Sequence, residues 1–113
     1  MDDKATMLKM TMVDGSEMEF SLTYKRLYRL RQTKPDVYEA YNRIAMDGMR
    51  DEFDFIYHLY VGYLCANIEE LDHCLSYDEF LDILPPGHIE PIKVSTRLRT
   101  GDVEKKQDSG THS

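Results

Sequence analysis

Residues 51–66 read DEFDFIYHLYVGYLCA, and no other segment constrains the chain as much. Asp51, Glu52 and Asp54 crowd what would be the first turn of a helix, where the positive end of the helix dipole favours carboxylates. Behind them Phe53, Ile56, Tyr57, Tyr60, Val61 and Leu64 recur at helical spacing and form one face. Phe55, Leu59, Tyr63 and Ala66 cover much of the remainder. A helix that is apolar nearly all round must be central to a core or covered by a hydrophobic partner. The other elements are therefore expected to arrange themselves around this one, with Asn67 as its stop. It does not read as a membrane span, which needs about 18 uninterrupted apolar residues. Asp54 and His58 break the apolar run from Phe53 to Ala66.

The segments before it change period once. Leu8, Met10 and Met12 alternate with Lys9 and Thr11, the period of a half-buried strand. Asp14-Gly15-Ser16 is a turn signal, and Met18 and Phe20 alternate with Glu17 and Glu19 beyond it. This pattern predicts a β-hairpin over 7–21. A lone hairpin is marginal in water, so its Met/Phe face needs helices to pack on. Helical spacing begins after Leu22. Thr23 can cap a first helix over 24–32, with Tyr24, Leu27, Tyr28 and Arg31 on one face and Lys25, Arg26 and Arg29 around the other side. Pro35 and Asp36 suit the first turn of a second helix, 35–47, whose apolar stripe is Val37, Tyr38, Tyr41, Ile44 and Ala45. Gly48 fits just past its end.

After the central helix comes an acidic connector, Ile68 to Cys74. Ser76 and Glu79 then have the spacing of a capping box, which predicts a short helix over 77–84 stopped by Pro85-Pro86-Gly87. Residues 86–99 carry Ile89, Ile92, Val94 and Leu98, a spacing compatible with either a strand or a short helix. Residues 1–6 are expected to be flexible and 100–113, polar throughout except for Val103, a disordered tail. The expected architecture is mainly α with a β-hairpin (α+β): one domain over 7–99, a bundle of about four helices behind the hairpin.

The chain reads as non-catalytic. It contains no Gly-rich phosphate loop, no Gly-x-Ser-x-Gly elbow and no His-Glu-x-x-His pair. His58, Cys65, His73 and Cys74 are the residues nearest to a metal cluster, but their spacing matches no recurring zinc pattern. Ordinary helix residues and a buried thiol explain them better, and no cofactor is expected. The carboxylates Asp78, Glu79 and Asp82 lack the ligand ladder of a calcium loop. The polar, acidic start Met1-Asp2-Asp3-Lys4 carries no leader signal, so reduced cysteines in a cytosolic protein are expected.

With 14 Lys and Arg against 21 Asp and Glu, the formal charge is −7, which disfavours a nucleic-acid backbone as partner. Against that balance, Lys25, Arg26, Arg29, Arg31 and Lys34 concentrate five cations within ten residues. They either pair with the acidic third and fourth helices or form a docking face with the interleaved Tyr24, Leu27 and Tyr28. The candidate partner-binding set is therefore Tyr24, Lys25, Arg26, Leu27, Tyr28 and Arg29. Eight tyrosines and seven methionines also exceed what a small core requires, and both residue types suit adaptable binding surfaces.

The order of elements in TYKRLYRLRQTKPDVYEAYNRI (23–44), DEFDFIYHLYVGYLCAN (51–67) and SYDEFLDILP (76–85), behind a short hairpin, is similar to that of the tail assembly chaperones of long-tailed phages and prophages of Gram-positive bacteria. The resemblance runs over roughly residues 7–85 and lies in helix order and an aromatic-rich central helix. It implies a protein that binds the tape measure protein in the host cytoplasm, keeps it soluble without ATP and is absent from the finished virion. It also implies possible contact with the tail tube protein, self-association, and in many members a longer, frameshifted form. Two other classes stay open: a helical adaptor or regulator, contacting DNA through the basic first helix, and a small enzyme whose groups meet only in space.

Overall fold

The computed structural model describes residues 7–86 and 89–100; the expected flexible start, and the expected tail beyond Thr100, lie outside the described residues. The protein is mainly helical behind an N-terminal antiparallel hairpin. Strands β1 (Leu8–Thr11) and β2 (Glu17–Phe20) pair in the register Leu8 to Phe20 and Met10 to Met18. Leu8, Met10 and Phe20 are buried, while Lys9, Thr11, Glu17 and Glu19 are exposed, as the alternation requires. In the turn the Asp14 carboxylate accepts the Ser16 amide (3.0 Å) and hydroxyl (2.6 Å), and these bonds hold its pKa below the ordinary value. Gly15 takes a φ of 89°, a conformation strained for any residue with a Cβ.

Among the described residues five helices follow: α1 (Tyr24–Thr33), α2 (Pro35–Asp47), α3 (Glu52–Ala66), α4 (Tyr77–Ile83) and α5 (Ile89–Thr100), with a 3₁₀ turn (Ile68–His73) after α3. Their starts are set locally. Thr23 Oγ1 accepts the Arg26 amide at 3.3 Å, and Asp51 accepts the amides of Phe53 and Asp54. Ser76 and Glu79 close a reciprocal capping box. The acidic connector is thus the 3₁₀ turn, and the segment that sequence spacing left between strand and helix is α5.

Helix α3 is the spine, and its burial is graded. Its first turn is open, with Phe53 57% exposed, whereas all eight residues from His58 to Cys65 are buried. Phe53 therefore departs from the face on which its spacing places it, because among the described residues little covers its side of the helix start. Besides α1 and α2, the hairpin, α5 and α4 close around the rest. The hairpin approaches at Gly62, whose carbonyl accepts the Ser21 amide at 3.0 Å. A Cβ there would stand 3.5 Å from the Phe20 Cβ and 2.8 Å from a Leu98 methyl, so this glycine lets the hairpin and α5 reach the same turn of α3. Helix α5 buries Val94, Ser95 and Leu98, and Ser95 Oγ lies 3.0 Å from His58 Nδ1. Helix α4 packs Phe80 against Phe20, Tyr60 and Tyr63. The hydroxyl of Tyr60 donates to the Leu75 carbonyl and that of Tyr63 accepts the Leu75 amide, both at 2.8 Å. Two tyrosine tips thus satisfy one residue's backbone at the edge of the core.

The two cysteines are free thiols in different surroundings. Burial pushes the Cys65 thiol up to about 12, despite the nearby Arg26, and burial also raises that of half-buried Cys74. Because the thiolate is the reactive form, a thiol reagent at mildly alkaline pH should modify Cys74 first and Cys65 only as the chain opens. Mass spectrometry of a labelling time course reads this directly. Equal rates would mean that the C-terminal half of α3 is not closed.

Candidate partner-binding groove

The six residues singled out from the sequence all lie at the start of α1, but the fold gives them four different tasks. Helix α1 buries Leu27 and Leu30 toward the core. That stripe is rotated from the expected Tyr24/Leu27/Tyr28/Arg31 face, because Leu30 rather than either tyrosine reaches α3's surroundings. Leu27 is only 8% exposed, so it serves as floor rather than as contact surface.

Arg26 turns inward. Its Nη1 donates to the Cys65 carbonyl at 2.7 Å and the Ala66 carbonyl at 3.3 Å. The last carbonyls of a helix lack intrahelical partners and sit at the negative end of its dipole, so the guanidinium acts as a C-terminal cap for α3. Arg26 is half-buried, and this cap commits its Nη1 to the end of α3. Arg29 points toward the 3₁₀ turn and pairs with Glu69 at 3.5 Å. The basic side of α1 therefore meets the acidic connector through Arg29 and the carbonyl end of the third helix through Arg26. Both side chains of that pair are well exposed, so it contributes at most about 1 kcal/mol.

Tyr24, Lys25 and Tyr28 remain open to solvent. Tyr24 is 93% exposed, Tyr28 58% and Met46 of α2 76%. The two tyrosines and Met46 border a groove of ≈ 540 Å³ between α1 and α2, floored by Leu27 and Tyr41 and walled by Arg31, Tyr38, Asn42 and Ala45. A second depression of ≈ 360 Å³ shares Tyr24, Leu27, Tyr41 and Ala45 with it and extends to Leu22, Met49, His58 and Leu98. The floor is aromatic and braced from beneath. Tyr41 stacks on His58 with ring centroids 5.8 Å apart and lies 6.0 Å from Tyr38. Burial raises the Tyr41 pKa, so its hydroxyl stays protonated through the physiological range.

Chemically, this arrangement offers shape, apolar area and one cation. Among the described residues no three His, Cys, Asp or Glu side chains gather as metal ligands, and His58 is engaged with Ser95 and Tyr41. No described helix is long and apolar enough to cross a membrane. Sequence reasoning found Tyr24, Tyr28 and Arg31 and placed Tyr38, Tyr41 and Ala45 on an apolar stripe, but passed over Met46. The available signal was that Met46 lies off the buried side of α2, which a methionine occupies only by leaving its thioether in water. Neither a protein-family model, nor a curated protein, nor a solved structure matches this chain.

Proposed function

We propose that this protein is a non-catalytic chaperone of the tail-assembly kind, which covers apolar stripes of the tape measure protein with the α1/α2 groove in the host cytoplasm and leaves before the virion is complete. The observation that carries this reading is the cluster of Tyr24, Tyr28 and Met46, exposed together around an aromatic floor. Contiguous apolar surface of this kind marks binding sites more than chance exposure. A tape measure presents long apolar stripes, and each Å² of apolar area withdrawn from water contributes ~25 cal/mol. Tyrosine supplies rigid area and methionine supplies adaptability, so one groove can take many slightly different stripes. Release during assembly requires modest affinity per groove, with several copies along one client holding it soluble.

The DNA-contacting adaptor has less support. Two of its cations are committed elsewhere, Arg26 to the end of α3 and Arg29 to Glu69.

The test is co-expression with the tape measure protein encoded in the same genome, followed by affinity capture of this chain. The tape measure should become soluble and co-purify, and the double substitution Tyr24→Ser/Tyr28→Ser should abolish capture while circular dichroism stays unchanged. An insoluble tape measure beside a folded chain would reject the reading. Unchanged capture by the double variant would place the client elsewhere on the surface.

A further inference from the structure

Within that reading of the groove, we infer that its ligand is an amphipathic helix carrying a carboxylate beside its apolar stripe, seated so that the carboxylate meets Arg31. Two independent features point there. The first is the wall chemistry. The groove runs between two helices and is lined by side chains, with the Asn42 amide and tyrosine hydroxyls as its uncharged polar groups. An extended peptide would leave its backbone N–H and C=O groups without partners against such a wall, whereas a helix satisfies its own. Apolar side chains of one helical face would descend between Tyr24, Tyr28 and Met46.

The second feature is charge. Among the described residues lining the groove Arg31 alone is charged, in a chain whose formal balance is −7. Its guanidinium carbon stands 5.9 Å from the centroid of the Tyr38 ring. That contact sets the exposed guanidinium over the ring at the groove wall, and no described carboxylate lies within ion-pair distance of it. A guanidinium held by an aromatic face presents its N–H fork to a carboxylate with little further ordering. One fixed cation in an otherwise uncharged groove also sets register: a helix shifted by one turn loses the pair. Repulsion from the acidic remainder of the protein makes that position, rather than general acidity, the determinant.

The experiment uses the full chain and three synthetic helical peptides with the same Leu/Phe stripe, differing at one flanking position: Glu, Gln or Lys. Dissociation constants from fluorescence anisotropy should rank Glu tightest and Lys weakest, with about fivefold between Glu and Gln for a partly exposed pair. Arg31→Gln should remove the ranking, and Arg31→Glu should invert it. Equal affinities for the three peptides, or a ranking that survives Arg31→Gln, would overturn the carboxylate assignment and leave the groove reading standing. A proline-interrupted Glu peptide that binds as well as the helical one would overturn the helical assignment. If none of the peptides binds the folded chain, the groove itself is not the client site, and the functional reading fails with the inference.

Discussion

Phe80→Ala is expected to lower the unfolding free energy by about 3–5 kcal/mol, the range for emptying a buried phenylalanine site. The ring is fully buried, in contact with Phe20 of the hairpin and with Tyr60 and Tyr63 of α3. It is therefore the point at which three elements meet. Helix α4 has only seven residues, too few to hold together by its own hydrogen bonds. Its capping box orders the first turn, and Phe80, its one buried side chain among the described residues, fastens it to the core together with the half-buried Tyr77. Since a domain of this size is held by only about 5–15 kcal/mol, the loss removes a large share of the total. Urea denaturation followed by tyrosine fluorescence measures it, with Phe53→Ala as the matched control. Phe53 is the same residue type but mostly exposed, so its removal should cost less than about 1 kcal/mol. Equal effects at the two positions would mean that α4 is not anchored as described.

Arg26→Glu should be nearly as damaging, at about 3 kcal/mol, although it changes a basic residue on a helix that looks like a binding surface. Hydrogen bonds from a charged donor contribute about 1.5–3 kcal/mol, and here they satisfy carbonyls at the end of α3. A carboxylate in that position would strip the cap and face the negative end of the dipole. Arg26→Lys keeps a cation but loses the fork geometry and should fall between. Lys25→Glu, one residue away and exposed, should shift stability by no more than about 0.5 kcal/mol. Chemical denaturation of the three variants decides the matter; an Arg26→Glu protein as stable as Lys25→Glu would remove the capping role. A client-binding defect in Arg26→Glu alone would report a damaged fold. Under the proposed function, Tyr24, Tyr28 and Arg31 are the positions at which binding and folding should separate.

Much of this architecture was legible before any coordinates. The hairpin follows from alternation and Asp14-Gly15. The helix starts follow from Thr23, Pro35, Asp51 and the Ser76/Glu79 pair, and the stop of α2 from Gly48, whose amide bonds back to the Ile44 carbonyl. Each of these signals acts through partners no more than four residues away, so the sequence contains the whole interaction. The candidate site was only half legible. Six neighbouring residues on α1 carry similar amphipathic patterns, yet Leu27 became floor, Arg26 a cap for another helix and Arg29 a partner of the 3₁₀ turn. The groove's second wall comes from α2, and periodicity within one helix cannot say which residues of the next will face it.

By itself, then, the sequence determined where the chain turns, where its helices begin and that α3 must be covered, by a core or by a partner, because backbone amides, dihedral limits and apolar periodicity act locally. Tertiary structure decided what those signals leave open. Ile89, Val94 and Leu98 became part of one helix, in which Val94, Ser95 and Leu98 are buried, once Gly62 let α5 settle on α3 beside His58. Arg26 found its carbonyls 39 and 40 residues along the chain. Tyr60 and Tyr63 went inside while Tyr24 and Tyr28 stayed out. Tyrosine is apolar in its ring and polar at its tip, so either environment suits it, and only the neighbours brought close by folding settle which one it receives.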